Sequence, residues 1–378
     1  MADVQKRVLG QSERKKFWTN DMEAIIAITL VLLILGTINV FSSSFIFAEA
    51  EFDTPYFFLK RHVINVCIGL IAFAVCFHFD YHVWRRWIVV VLGFTVLALV
   101  AVLIVGPVVN GARRWLPLVV VQFQPAELAK LVAIMIAAAY ISNRIKLQRK
   151  LEIFSAQAVI IGLLFLLTEL EPDMGTACII LGIPVMMLTI SGLEKKKVLT
   201  LLGLGLAGGV ALILKEPYRL ERLKITYDPG SDAPNYGYQT VQSLSAIGSG
   251  ELTGMGLGVG VSKYDYLPEA HTDFAFAIFC QENGFLGAIF VFLLFSAFAV
   301  YAARIANKAK DEYGQILSMG IMILVVGQAI ANLLMVGGMI PVVGVPLPFI
   351  SYGGTSLIIT MAAIGILVNI GKQGEKSS

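Results

Sequence analysis

Glu127 and Lys130 stand three residues apart just after Pro125, at the start of a long apolar run. On a helix that spacing separates them by about 60° around the axis, one turn in from the end. Charges at membrane depth are costly unless paired or hydrated, so such a pair is a functional candidate by default. It reads either as an ion pair that offsets its own burial or as a cation held ready for an anionic lipid headgroup. Upstream, Gly111, Ala112, Arg113, Arg114 and Trp115 set two guanidiniums beside an indole. Arginine grips phosphate bidentately, although the same residues would serve for snorkelling at a membrane interface. The third constellation runs from Leu267 to Phe274 and includes Glu269, His271, Thr272 and Asp273. Thr272 is the expected N-cap of the helix that follows, with Asp273 in its first turn, near the positive end of the helix dipole. A carboxylate there is within reach of a water-exposed hydroxyl, and it would equally serve only to stabilise the dipole. Glu282 lies about 13 Å deeper and roughly 180° around a straight helix. It is therefore expected to make a structural polar contact with a neighbouring span, together with Asn283.

The elements that must position these groups are membrane helices. Among the 378 residues, 57% are hydrophobic and 15% charged, against about a quarter charged in soluble domains. Repeated apolar runs of about 20 residues point to one polytopic helical domain. A transmembrane β-barrel is excluded, because runs such as Ile25 to Val40 and Ile88 to Val105 lack the alternation of barrel strands. The net charge of +3 is too small and dispersed to suggest nucleic acid. Cys67, Cys76, Cys178 and Cys280 fall inside apolar runs without metal-ligand spacing and read as small hydrophobes.

The fold class expected is an all-α polytopic membrane protein with ten spans, near 23–45, 60–79, 86–106, 125–142, 156–169, 174–190, 197–214, 273–303, 313–339 and 350–370. The fifth and sixth are short, so a re-entrant pair is an alternative there. The transmembrane domain covers 23–371, between a polar N-terminal tail at 1–22, read as leading into a retained first span, and a tail at 372–378. With the N-terminus inside, internal segments hold most of the 29 Lys and Arg, which makes both termini cytoplasmic. Arg113 and Arg114 then run against the bias, which makes them more informative than the cytoplasmic clusters. One long extracytoplasmic loop, 215–271, lies between helices 7 and 8. It is expected to be ordered and functional. Its Gly254, Gly256, Gly258 and Gly260 lack the strand and helix of a dinucleotide loop and are expected to permit tight turns. His62, His78 and His82 read as interfacial residues, and Glu194 to Lys197 as a solvated turn.

Six motifs in order carry a resemblance over nearly all of the spans: GARRW (Gly111 to Trp115), QPAELAKL (Gln124 to Leu131), EPDMGTA (Glu171 to Ala177), GYQTVQSLSAIGSG (Gly237 to Gly250), LPEAHTDFAFAI (Leu267 to Ile278) and PLPFISYGGTS (Pro346 to Ser356). In these the chain resembles the SEDS family (shape, elongation, division and sporulation). The loop DPGSDAPNYGYQ (Asp228 to Gln239) and the run through Asp273 look closer to its division and sporulation branch than to its elongation branch.

The resemblance implies a peptidoglycan glycosyltransferase that polymerises lipid II at the outer face of the bacterial cytoplasmic membrane. It implies Asp273 as the catalytic base. For such chemistry Arg113, Arg114 and Lys130 would neutralise the pyrophosphate, Glu127 would orient Lys130, and Gln239, Gln242, Ser243 and His271 would contact sugar or phosphate. Glu269 would help to bind a divalent cation, Mg or Mn, for which the sequence offers no compact ligand set. The partners implied are lipid II, a class B penicillin-binding protein transpeptidase, and other division or elongation proteins. A lipid II flippase and a partner-recruiting scaffold are the competing classes. The outer-face clustering of Arg113, Glu127, Lys130 and Asp273 disfavours the first, and a buried Lys130 would be purposeless in the second.

Overall fold

The protein's computed structural model describes residues 20–109, 111–118, 122–215, 217–227, 237–260 and 267–375. Segments 1–19 and 376–378 of the expected tails, and residues 228–236 and 261–266 of the long loop, lie outside the described residues. Asn20 caps α1 (Asp21–Phe52) by accepting from the Met22 amide, and Asp21 and Glu23 follow in its first turn, where acidic residues complement the dipole. α2 (Phe57–His78) and α3 (Tyr81–Val105) come next. A short hairpin of β1 (Leu116–Pro117) and β2 (Gln122–Phe123) leads into α4 (Pro125–Lys146). Pro125 stands at the start of α4, Glu127 in its first turn, and Arg144 and Lys146 in its last, a placement that suits both ends of the dipole.

α5 (Ala156–Leu170) and α6 (Met174–Ile190) form the short pair, separated by the turn Glu171 to Asp173. α7 (Lys195–Lys215) is followed by α8 (Pro217–Tyr227) and α9 (Tyr238–Ser249), both within the long loop. The chain closes with α10 (Ala275–Asn307), α11 (Glu312–Val336) and α12 (Gly354–Glu375). Eight helices are long and apolar enough to cross a membrane, and α5 and α6 are shorter apolar helices. All ten expected spans are thus present as helices among the described residues.

Helix α4 is the axis of the bundle, packed against α3, α6, α11 and α12, and most of its residues are buried. The described ends of the chain meet on one face, where Asn20 Nδ2 donates to Glu375 Oε2 at 2.6 Å and Lys308 Nζ donates to Asp21 Oδ2 at 2.5 Å.

Two expectations need correction. Helix α10 begins at Ala275 and its N-cap residue is Phe274, without a side-chain cap bond. Thr272 is spent on Glu269, whose carboxylate accepts its hydroxyl at 2.6 Å, so Asp273 sits in the turn before the helix and outside its first turn. Nor is α10 straight. Gly284 breaks the helical conformation at φ 64° and ψ −168°, a region open to glycine, and a Cβ there would overlap the backbone of Leu252 and Gly254. Glu282 does make the structural contact expected of it, accepting from Ser42 Oγ at 2.5 Å and from the Gly258 amide at 3.1 Å. Asn283 is not part of that contact and donates to Phe279 O within the helix. Positive φ at Gly254, Gly256 and Gly258 matches their expected role in turns.

Candidate active site

A cavity of about 890 Å³ opens between the N-terminal ends of α2, α4, α6 and α12, helix α8, the turn before α10 and the segment from Pro341 to Gly354. Its floor is tied together by backbone and short polar side chains. Thr355 Oγ1 donates to Gln122 O at 2.8 Å and accepts from the Gln124 amide at 3.0 Å, which joins α12 to the start of α4. Gln124 Nε2 donates to Asp173 Oδ2 at 3.0 Å, while the other Asp173 oxygen caps α6 by accepting from the Thr176 amide. The motifs QPAELAKL, EPDMGTA and PLPFISYGGTS therefore converge on one wall.

Asp273 lines this cavity. Withdrawal from water pushes its carboxyl up to about 7, Glu269 and Asp173 push it the same way, and Arg114 and Arg222 pull it down. A carboxyl so placed loses its proton near neutrality, which suits a general base. Gly344 faces it in the left-handed region at φ 68°, and a Cβ on that residue would stand 3.5 Å from Asp273 Oδ2.

Arg114 also lines the cavity, anchored through its Nε to Glu171 O and through its terminal amino group to Pro172 O. Arg222, from α8, is a further cavity guanidinium and donates to Val342 O at 3.0 Å. Arg219 lines the same wall and pairs with Glu169 at 2.6 Å. Arg219 and Arg222, with Asp173, Gln124 and Arg61, were not singled out as site residues from the sequence. The signal available for Arg219 and Arg222 was their i, i+3 spacing in the long loop; for Asp173 it was its place in the EPDMGTA motif.

Of the residues singled out from the sequence, Asp273, Glu127, Arg114, Gln239 and Glu269 meet around the cavity. Lys130 lies behind that wall: its ammonium bonds to Glu127 Oε2 and to Gln328 Oε1, both at 2.8 Å, with 2% of its side chain exposed. Its ammonium is separated from the cavity by the Glu127 carboxylate with which it pairs. Arg113 is exposed and donates to Ile104 O, and Gln242 lies outside the cavity lining. Ser243 is buried and donates to Val336 O at 2.8 Å, joining α9 to the end of α11. His271 stacks on Phe47 and packs against Phe58 and Tyr352. Burial pushes its imidazole below the ordinary range, with Glu269 opposing. Its ring is a wedge between the turn and the helices α1 and α2. Among the described residues no three His, Cys, Asp or Glu side chains converge to hold a metal ion.

Residues 22–376 match the family model described as cell cycle protein, which joins FtsW, RodA and SpoVE. The chain belongs to that family. Stage V sporulation protein E of Bacillus subtilis is 38% identical to it over 354 residues, 92% of this chain and 96% of that protein. A probable peptidoglycan glycosyltransferase FtsW of Geobacter is 38% identical over 352 residues, covering 92% and 95%. Among solved structures, a chain from work on the structural coordination of polymerization and crosslinking by a peptidoglycan synthase complex superposes with a TM-score of 0.76. It shares 26% identity and covers 92% of this chain and 97% of its own. The rod shape determining protein RodA of Thermus thermophilus superposes at 0.67 with 23% identity, over 92% of this chain and 96% of that one, and shows that the family fold extends to it.

Proposed function

We propose that the chain is a peptidoglycan glycosyltransferase that joins lipid II units into glycan strands at the outer face of the cytoplasmic membrane, in cell division. The observation that carries this reading is the shared cavity, in which the Asp273 carboxyl stands with the guanidiniums of Arg114 and Arg222. In the reaction Asp273 takes the proton of an acceptor sugar 4-hydroxyl, and the oxygen attacks the anomeric carbon of the donor. The bond from that carbon to the polyprenyl pyrophosphate breaks, and its electron pair leaves with the phosphate. Arg114 and Arg222 stand where they can neutralise that charge, since guanidiniums preorganised toward a leaving phosphate lower the barrier most where water is excluded. Glu127 lines the cavity and would orient Lys130, which pairs with it behind the wall, while Gln239 would contact sugar or phosphate and Glu269 the acceptor sugar. Glu269 would help to bind a divalent cation, Mg or Mn, for which the substrate's phosphates would supply further ligands.

The names of the two relatives, one of sporulation and one of a division-type glycosyltransferase, support this reading over an elongation enzyme or a flippase. The likeness to a chain of a peptidoglycan synthase complex supports a class B penicillin-binding protein transpeptidase as partner. The charge bias supports cytoplasmic termini. The test is polymerisation of purified lipid II by the purified protein with and without its cognate transpeptidase. Asp273→Asn should fold and bind lipid II yet lose at least about a hundredfold in glycan synthesis. Near-normal synthesis by folded Asp273→Asn would remove the assignment.

A further inference from the structure

Asp273 has no helix to hold it, because it precedes α10 by two residues. Its backbone carbonyl is instead tied by Asn332, whose Nδ2 donates to Asp273 O at 2.8 Å and to Val345 O at 2.7 Å. One turn earlier on α11, Gln328 repeats the arrangement: its Nε2 donates to Pro346 O at 3.0 Å and its Oε1 accepts from Lys130 Nζ at 2.8 Å. Both amides are buried, at 0% and 3% exposure for Asn332 and Gln328. At i, i+4 they lie on one face of the helix. They grip consecutive carbonyls of one irregular segment, Val345 and Pro346, and each makes one further bond, Asn332 to the backbone carbonyl of Asp273 and Gln328 to the ammonium of Lys130.

We infer that Gln328 and Asn332 are positioning residues, a two-rung strut that fixes Asp273 and the Lys130–Glu127 pair in one rigid frame. The inference rests on the reading of Asp273 as the base. The Val345–Pro346 segment is the shared member, and Gly344 just before it turns the chain beside the Asp273 carboxylate with a positive φ of 68°. A frame of this kind matters because misplacement of a base by about 1 Å costs on the order of a hundredfold in rate. Neither amide lines the cavity, so neither touches substrate. Mere satisfaction of buried carbonyls does not require that one amide hold the backbone of Asp273 and its neighbour one turn away the ammonium of Lys130.

The experiment uses the full-length protein with its cognate transpeptidase and lipid II, with the folded fraction checked by size exclusion. Asn332→Ala should lower kcat at least about tenfold with KM held within about threefold. Placed in the Asp273→Asn protein, the same substitution should reduce the residual rate by less than about twofold, because the base through which it acts is gone. Gln328→Met, which removes both bonds at nearly constant volume, should show the same pattern against Lys130→Met and serves if Asn332→Ala does not fold. Losses that multiply in both backgrounds, or that fall on KM alone, overturn the strut. Full activity of Asp273→Asn would instead defeat the catalytic reading itself, so the two failures are distinct.

Discussion

Lys130 Nζ lies 2.8 Å from Glu127 Oε2, one turn apart on α4, and the two side chains are 2% and 5% exposed. Removing one member of such a pair strands a buried charge, at a cost of about 3–5 kcal/mol, whereas removing both together is often tolerated. Lys130→Met should therefore lower the thermal unfolding temperature and cut polymerisation to a small residual rate. Glu127→Gln/Lys130→Met should recover the folding. If the double variant also recovers activity, the pair is an ion pair serving only its own burial; if it folds and stays inactive, its charge serves the cavity.

The pH dependence should follow Asp273. A base whose folded pKa is raised to about 7 is ionised only above that value, so kcat/KM should climb with pH through about 7 rather than near 4. Glu269 contributes to the upward push and Arg114 opposes it. Glu269→Gln should accordingly move the rising limb to lower pH and Arg114→Gln to higher pH, whatever each does to the maximum rate. A rising limb that stays fixed in both variants would mean that another group titrates.

Glu171 is buried in the turn between α5 and α6, with neither carboxylate oxygen hydrogen bonded. Burial, with Asp173 adding, pushes it up to about 9 while Arg114 pulls it down. The folded protein therefore holds a neutral acid at pH 7. Because the folded pKa exceeds the unfolded one, the contribution is fully present below about 4.5 and is lost progressively as pH rises toward about 9. Glu171→Gln, neutral throughout, should match or exceed the parent in thermal stability at pH 7, with a margin that grows toward pH 9. A margin that shrinks over that range would show that Glu171 is ionised in the fold.

Orientation is open to a direct check. In a background without the four native cysteines, Ser231→Cys should label with an impermeant thiol reagent in intact spheroplasts and Ser377→Cys should not. The opposite pattern would invert the topology.

The ten spans were legible in the sequence because a bilayer demands long apolar helices that satisfy their own backbone. Local chemistry was legible as well. The Glu127–Lys130 contact follows from helical spacing alone, and a carboxylate of Asp273 beside the external loop was expected to be accessible. The start of α10 was misread because Thr272 and Asp273 have the residue types of a helix start. Only in three dimensions does Glu269 take the Thr272 hydroxyl and leave Asp273 in the turn. Lys130 illustrates the same limit, since its spacing from Glu127 said nothing of Gln328, nearly 200 residues away, which closes over its ammonium. Arg114, Asp173, Arg222 and Asp273 reach one cavity from four separate stretches of chain. Hydrophobic periodicity reports which residues enter a helix; it carries no record of which helix ends meet. That meeting depends on side-chain packing around α4 and on bonds such as those of Asn332, each made between residues remote in sequence.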